Sequence, residues 1–215
     1  MTIKTTGHIF TIMKKIMTKA QIPKAQIRLK LLEAGLRLFG ENGYNGTGIK
    51  EIVEAVGVPK GSFYNYFKSK EDFTIDIIGF YSDTLAIQWD GLLEKGSAEP
   101  LAALRNSFEM IVSHHEQCEV RTGCLIGNLA AEISEASERC RQKMHHSTMT
   151  WKTRISDYIL QGQALGTIRN DITATVLAEF IWNAWEGALL NMKIVGSTVP
   201  VKECIRLLFD FFLKP

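Results

Sequence analysis

Residues 59–70 carry side chains that could bind nucleic acid. Lysine ammonium groups bind phosphates, while hydroxyl, phenol and amide groups can hydrogen-bond to base edges in the major groove. The segment contains no acidic residue, and one glycine removes a side chain where the backbone would approach a duplex closely. We therefore predict a recognition helix at about residues 59–67, followed by phosphate-binding lysines. The predicted contacts are Pro59, Lys60, Gly61, Ser62, Tyr64, Asn65, Tyr66 and Lys70.

A second reactive group is the thiol of Cys124, which follows Gly123 at the start of an apolar segment. A helix that begins here would place the thiol in its first turn, where backbone N–H groups stabilise a thiolate, and Arg121 would act in the same direction. A thiolate attacks quinones and dicarbonyl aldehydes, and hypochlorous acid oxidises it to a sulfenic acid. The alternative is that Cys124 only fills a gap in the core.

Two further groups of side chains suggest other kinds of site. His114, His115 and Cys118 have helical spacing that could suit zinc, but no fourth ligand is evident, so we predict no metal site. An aromatic cavity for a small hydrophobic inducer is also possible, with Arg154 or Lys193 binding a carboxylate. Its aromatic members would be Phe108, Trp151, Trp182 and Trp185. No nucleotide-binding glycine loop, nucleophile elbow or pair of carboxylates suggests an enzyme, and no cofactor is expected.

Hydrophobic spacing predicts the helices that would position these groups. Apolar residues recur at i, i+3, i+4 and i+7 from Ile49 to Val56, which predicts a two-turn helix before the recognition helix. Gly57 can adopt the positive φ that ends a helix, and Pro59 suits the start of the next one. A preceding amphipathic helix, from about residue 23 to residue 41, carries Lys24 and Arg28 near its start, where both could reach the DNA backbone.

This segment resembles the helix-turn-helix domain of the tetracycline repressor (TetR) family. The resemblance implies a homodimeric DNA-binding repressor. That family usually has Ser or Thr immediately before the first helix of the motif, whereas this chain has Gly48, so Thr47 is expected to make the phosphate contact alone. The matching residues are Phe39, Gly43, Tyr44, Thr47, Ile52, Ala55, Gly57, Val58, Lys60, Gly61, Tyr64, Tyr66, Phe67, Lys70 and Phe73.

The run at residues 121–132, R-T-G-C-L-I-G-N-L-A-A-E, is similar to a segment found in one branch of that family. This branch includes the repressor of N-ethylmaleimide reductase. The resemblance implies that Cys124 is a sensor of oxidants and electrophiles, and that Lys193 on the penultimate helix is its partner.

The remaining sequence predicts an all-α fold of about nine helices, because no useful β-alternation occurs. We expect Ser69 to cap the long helix that follows the recognition helix, and Ser134 to cap a later polar helix. We expect a basic arm at residues 1–22, a DNA-binding domain at 23–70, and a ligand-binding and dimerisation domain at 71–215. Two apolar stripes mark the last two helices, and the resemblance implies that they pair with their copies in a four-helix dimer interface. The alternative is that both stripes pack only within the monomer. The stripes consist of Leu177, Ile181, Ala184, Trp185, Ala188, Leu189 and Met192, and of Ile205, Leu208, Phe209 and Phe212.

Charge is distributed unevenly along the 215 residues. Residues 1–75 hold 12 Lys/Arg and 6 Asp/Glu, whereas residues 76–215 hold 13 and 17, which fits a DNA-binding head on an acidic body. No apolar run could form a signal peptide or cross a membrane, and the four cysteines show no regular spacing, so we expect a cytoplasmic protein with free thiols.

Together these features predict a dimeric repressor of a pseudo-palindromic operator that is released by a small molecule, an electrophile or an oxidant. Two alternatives remain open: a non-covalent sensor of a small acid or drug that regulates efflux or catabolic genes, and an architectural DNA-binding protein without an inducer.

Overall fold

The computed structural model describes the backbone of residues 21–93, 99–117 and 122–215, and their side chains except at 21–23 and 91–93. Within these ranges the chain forms nine α-helices and no strand, which confirms the predicted all-α class. The helices are α1 (Gln21–Asn42), α2 (Ile49–Val56), α3 (Lys60–Tyr64), α4 (Lys70–Leu93), α5 (Pro100–Gln117), α6 (Leu125–Ile133), α7 (Glu138–Ala164), α8 (Ala174–Val195) and α9 (Val199–Leu207), which continues as a π-helical turn, Leu208–Phe212.

Helices α1 to α3 form the head. Gly57 ends α2 with φ of 73°, and the N–H of Val58 donates to the carbonyl of Val53 at 3.1 Å, so the chain turns sharply into α3. The recognition helix is shorter than predicted, because regular α-geometry ends at Tyr64. Four phenylalanine rings fill the space between the helices with centroid separations of 4.7–6.0 Å. They are Phe39, Phe63, Phe67 and Phe73.

Helix α4 joins the head to the body. Its start is capped as predicted, since the N–H of Asp72 donates to Oγ of Ser69 at 3.0 Å. The head packs closely against it, because a β-carbon at Gly35 of α1 would lie 2.4 Å from the Phe73 ring. On the body side, Arg139 of α7 pairs with Asp72 at 2.7 Å.

Helices α5 to α9 form the body around a core of large apolar side chains. Trp89 of α4 reaches this core and packs edge-on against Trp151 and Phe108, at centroid distances of 5.4 and 6.0 Å. The cap before α7 differs from the position that we expected, Ser134. That residue ends α6, whereas Ser137 caps α7 by accepting the N–H of Cys140 at 3.1 Å.

The apolar stripes of α8 and α9 pack mainly inside the protomer. Leu177, Ile181 and Trp185 on α8 are buried there. Leu208 and Phe209, in the π-helical turn that continues α9, are buried as well. The sequence prediction that these stripes face a partner is therefore wrong for most of their members. A different set of large apolar residues remains exposed on the outer side of the two helices, beside an open groove of about 780 Å³. This outer face consists of Phe180, Leu190, Ile194, Val199, Leu207 and Phe211.

No helix in the described part of the chain is long and apolar enough to cross a membrane. The basic arm predicted for residues 1–22 lies outside the described residues, apart from the first two residues of α1.

Candidate DNA interface and sensor site

Helix α3 presents the side chains that the sequence predicted for DNA recognition. Tyr64 is 52% exposed, and Lys60 and Asn65 are exposed beside it, while Phe63 on the opposite side is buried. The other predicted contacts are also exposed or half-buried, namely Pro59, Gly61, Ser62 and Tyr66. The short helix therefore has one face in the core and a polar, aromatic face available to a duplex.

Two predicted phosphate contacts hold the head together. Thr47 is fully buried, and its hydroxyl donates to the carbonyl oxygens of Gly43 and Leu38 at 2.9 and 3.2 Å. The Lys70 ammonium donates to the carbonyl of Tyr44 at 2.6 Å and lies 3.9 Å from the centre of the Tyr44 ring. Burial lowers the Lys70 pKa. Thr47 and Lys70 therefore fix the loop between α1 and α2. The prediction that Thr47 binds phosphate is wrong for this geometry, because its hydroxyl is buried and engaged. Phosphate binding by Lys70 stays a prediction, since this bond uses one of its three N–H groups.

The remaining predicted contacts lie at the edges of the head. Arg28 is paired with Asp76 of α4 at 2.7 Å, although 45% of its side chain is exposed. Lys24 is exposed. Gly48 occupies the N-cap of α2 without a side-chain cap, and a β-carbon there would lie 2.5 Å from the Glu51 carboxylate.

Cys124 occupies the N-cap of α6, close to the predicted position, and is 8% exposed. Glu186 on α8 lines the same cavity, and a β-carbon at Gly127 would lie 2.7 Å from Glu186 Oε2 and 3.8 Å from Cys124 Cβ, so the carboxylate lies near the thiol. Burial raises the pKa of Cys124 well above the ordinary range, and the Glu186 charge raises it further. The N–H groups of Gly127 and Ile126 lower the pKa, but their effect is smaller than that of burial. The expected lowering of the thiol pKa is therefore wrong, because desolvation outweighs the helix end.

Cys124 lies in the wall of a cavity of about 60 Å³ inside the body. This volume suits a few water molecules or a ligand of few non-hydrogen atoms. All four aromatic residues predicted for an inducer cavity, Phe108, Trp151, Trp182 and Trp185, line it. The other lining residues are Tyr81, Leu85, Trp89, Met110, Ile111, His115, Gly123, Ile126, Ile155, Glu186 and Leu189.

The two cations proposed to bind a carboxylate do not line this cavity. Arg154 pairs with Asp90 at 2.6 Å. Lys193 is exposed, and its ammonium donates to Oδ1 of Asn128 at 2.9 Å. Its aliphatic chain nevertheless lies against the residue before Cys124, because a β-carbon at Gly123 would lie 3.0 Å from Lys193 Cδ.

The remaining predicted candidates are Arg121 and the possible zinc ligands His114, His115 and Cys118. Arg121 and Cys118 lie outside the described residues. His114 is exposed while His115 is buried, and no group of three potential ligands occurs in the described ranges.

Three polar side chains of the cavity, those of Tyr81, Trp89 and Glu186, were not predicted as site residues. Glu186 was overlooked, although an acidic residue between Trp185 and Gly187 in a strongly apolar helix is a signal of a buried charge. Burial raises the pKa of Glu186, and its hydrogen bond with Cys124 acts in the opposite direction.

The segment from residue 122 to residue 132 runs along the C-terminal end of α1. A β-carbon at Gly40 would lie 3.2 Å from Cγ2 of Thr122, which precedes Cys124 by two residues. At the other end, the Glu132 carboxylate accepts the N–H groups of Tyr44 and Asn45 at 3.1 and 2.8 Å. Helix α6, which begins beside the thiol, is therefore hydrogen-bonded to the loop between α1 and α2.

Comparison with known proteins agrees with this arrangement. A family model described as "Bacterial regulatory proteins, tetR family" matches residues 31–77, and one described as "Tetracyclin repressor-like, C-terminal domain" matches residues 100–208. The HTH-type transcriptional repressor DhaR of Mycobacterium sp. (strain GP1) is 34% identical over 190 residues, which cover 88% of this chain and 94% of DhaR.

Two solved structures match over most of both chains. The regulatory protein TetR from Rhodobacter sphaeroides has 34% identity and a TM-score of 0.79, over 85% of this chain and 96% of its own. The reduced form of Escherichia coli NemR has 26% identity and a TM-score of 0.81, over 88% and 98%. These relatives are named as regulators and none as an enzyme, in agreement with the sequence prediction.

Proposed function

Because the chain belongs to the TetR family of transcriptional regulators, we propose that it is a cytoplasmic repressor that leaves its operator when an electrophile or an oxidant modifies Cys124. A dimer would place two α3 helices in successive major grooves of a pseudo-palindromic site. Its half-sites would lie about one helical turn, ~34 Å, apart or somewhat more.

The observation that carries this proposal is that one nine-residue helix connects the thiol to the head. Cys124 precedes the first turn of α6, and Glu132 near its other end binds the Tyr44–Asn45 loop. A group added to the sulfur must find room in a cavity of about 60 Å³. Since close-packed interiors do not absorb added atoms locally, the added volume would shift α6 and change the separation of the two heads.

Oxidants would use a second feature of the site. A sulfenic acid on Cys124 can condense with the amine of Lys193, forming an S–N bond and releasing water. Lys193 already lies against Gly123, so only its terminal carbons and ammonium would need to turn. The resemblance to the branch that contains the repressor of N-ethylmaleimide reductase supports this pairing.

Dimerisation through α8 and α9 is part of the same proposal. The outer face of these helices exposes Phe211 (62%) and Phe180 (51%) in the lining of the open groove. Leu190 (60%) and Ile194 (75%) are further exposed apolar residues of α8. An apolar surface of this kind favours burial against a second copy, and two helices from each protomer would form a four-helix interface.

A non-covalent inducer is the second candidate. It is favoured by two buried polar atoms in side chains that line the cavity, Trp89 Nε1 and Glu186 Oε1, which have no hydrogen-bond partner. The carboxylate would repel a small acid, so such an inducer would be a neutral or cationic molecule.

The test is operator release measured by fluorescence anisotropy on DNA from the protein's own upstream region. We expect a quinone or hypochlorite to release the wild type but not Cys124→Ser. A preference of about 1–3 kcal/mol for the released state is enough to reduce affinity roughly 5- to 150-fold. Equal release of both proteins would transfer inducer recognition to non-covalent contacts in the cavity.

Replacing Glu132 by glutamine tests the connection between α6 and the head. We expect the unmodified variant to bind the operator, but its release by a Cys124-directed electrophile should weaken severalfold. The two loop N–H groups bind different oxygens of the carboxylate, and in glutamine one of these positions becomes an NH2 group that cannot accept a hydrogen bond. Loss of charge-assisted bonds should also destabilise the fold by about 1–3 kcal/mol, measured by urea unfolding. Glu135→Gln is the matched control, since Glu135 is exposed just beyond α6. Normal release by Glu132→Gln would contradict the proposed connection.

A further inference from the structure

We propose that Glu186 is the proton acceptor that activates Cys124, and that the cavity beside them takes compact carbonyl-conjugated alkenes, whose oxygen binds the indole N–H of Trp89. This inference rests on the proposed function, because it supplies the chemical step by which an electrophile would modify the sensor thiol.

The position of Glu186 is the first support. Glu186 lines the same cavity as Cys124, and its Oε1 is buried without a partner. Gly127 makes room for the carboxylate, since a β-carbon there would lie 2.7 Å from Glu186 Oε2 and 3.8 Å from Cys124 Cβ. The carboxylate therefore lies at the N-terminal turn of α6, where a buried anion is tolerated and where it is near enough to the thiol to act as its proton acceptor.

The state of the thiol is the second support. A buried thiol beside a carboxylate is protonated at neutral pH, and a protonated thiol is a poor nucleophile. Contact with a base removes this obstacle, because the proton can leave as the new bond forms. The N–H groups of Ile126 and Gly127 face the sulfur and would stabilise the negative charge that develops on it.

Trp89 is the third support and points to the kind of electrophile. Its side chain is 3% exposed, it lines the same cavity, and its Nε1 has no hydrogen-bond partner. A buried N–H without an acceptor costs folding free energy, which suggests that the oxygen of a ligand accepts a hydrogen bond from it. Placed at a carbonyl oxygen, this donor would stabilise the enolate that forms during conjugate addition. The volume of about 60 Å³ restricts the electrophile to few non-hydrogen atoms.

The step balances without an added oxidant or reductant. The sulfur forms a bond to the β-carbon of the alkene, and the thiol proton moves to the Glu186 carboxylate. The alkene electrons move toward the carbonyl, giving an enolate whose oxygen accepts the Trp89 N–H. Glu186 then returns the proton to the α-carbon. The product is a thioether on Cys124, and Glu186 is again a carboxylate.

Titratable groups from several helices line the cavity beside the thiol. Tyr81 of α4 is one of them, and its strong desolvation raises its pKa. His115 of α5 and Glu186 of α8 line the cavity. Lys193 of α8 lies outside it, against Gly123. Helix α7 contributes Trp151 and Ile155, which do not titrate.

The test measures the rate at which methyl vinyl ketone alkylates the full-length protein, followed by intact mass with peptide mapping to Cys124. We expect Glu186→Gln to react at least tenfold more slowly than the wild type at pH 7. Glu179→Gln, which removes an exposed carboxylate of the same helix that pairs with Lys152, should react at the wild-type rate. If Glu186 acted only through its charge, its removal would lower the thiol pKa and Glu186→Gln would react faster. That result would overturn the proposal.

The pH dependence gives an independent readout. Wild-type alkylation should level off once Glu186 is ionised, and stay nearly constant through neutral pH. In Glu186→Gln the rate should instead rise about tenfold per pH unit, because it would follow thiolate formation alone. Parallel profiles for the two proteins would contradict proton transfer to Glu186.

Trp89→Phe tests whether the indole N–H binds the carbonyl oxygen, by comparing methyl vinyl ketone with iodoacetamide, a reagent of similar size. Iodoacetamide places the developing charge on the departing iodide, so this variant should react with it at the wild-type rate while reacting severalfold more slowly with methyl vinyl ketone. Equal slowing with both reagents would indicate a packing defect and contradict the donor role. Circular dichroism melting verifies that each variant is folded.

The same samples separate this proposal from the proposed function. If Cys124 is alkylated with the expected Glu186 dependence but DNA is not released, the chemistry stands and the sensor function fails. If alkylation releases DNA and Glu186→Gln reacts normally, the sensor function stands and the role of Glu186 fails.

Discussion

Replacing Tyr64 by alanine is expected to abolish specific operator binding while leaving the dimer and its thermal stability intact. Tyr64 is 52% exposed on α3, and the buried core of the head is provided by its neighbour Phe63. A base contact is worth about 1–3 kcal/mol, and a dimer would lose it at both half-sites, so the loss should be about 2–6 kcal/mol. Anisotropy titrations on operator and on scrambled DNA of equal length would measure it.

Lys60→Ala distinguishes phosphate binding from base reading in the same assay. If Lys60 neutralises one phosphate in each half-site, its loss should weaken both DNAs and reduce the slope of log K against log salt by about 2. Lys70→Ala should reduce the slope less, because one N–H of its ammonium is engaged with Tyr44. Normal operator binding by Tyr64→Ala or Lys60→Ala would show that α3 is not the recognition helix.

Phe211→Asp should convert the protein to a monomer that binds the operator at least a hundredfold more weakly. Phe211 is 62% exposed on the outer face of the last two helices. In a two-fold interface each change occurs twice, so two carboxylates would be buried near each other at a cost of several kcal/mol. Analytical ultracentrifugation and operator titration would report the two effects.

Met149→Asp is the matched control for that experiment. Met149 is also a large exposed apolar residue, at 46%, but it lies on α7, away from the groove between α8 and α9. We expect this variant to stay dimeric and to bind the operator normally. A dimeric Phe211→Asp protein would instead refute the outer face as the interface.

The head could be predicted from sequence because its determinants are local. The spacing of apolar residues in α2, the positive φ of Gly57 and the cap at Ser69 depend on neighbours within a few residues, and the structure confirms each. The end of α3 was less predictable. Tyr66 and Phe67 continue the aromatic pattern of the helix, but regular α-geometry ends at Tyr64, with Asn65 as the C-cap.

The roles of single polar residues could not be predicted, because they depend on contacts distant in sequence. Thr47 and Lys70 have the residue types of phosphate ligands, yet each donates to a backbone carbonyl of the α1–α2 loop. Glu186 is 62 residues from Cys124 in sequence, and only the tertiary fold brings both residues to the wall of one cavity. A helix-end argument for the thiol pKa therefore predicted the wrong direction.

The orientation of α8 shows the same limit in the body. Its apolar residues cover nearly the whole circumference, so the sequence could show that the helix is largely buried but not which side faces the core. Leu177 and Ile181 face inward, whereas Phe180 and Leu190 remain outside.

The hydrogen bonds between Glu132 and the head limit which heads could replace this one in a hybrid regulator. A transplanted head would read a new operator, but it would answer to the sensor only if its loop offered two free N–H groups to the Glu132 carboxylate. That loop must also keep a glycine at position 43, where φ is 75° and a β-carbon would lie 2.4 Å from Glu132 Oε1. Heads with a bulkier residue there would bind DNA without responding to the signal, and so act as permanent silencers.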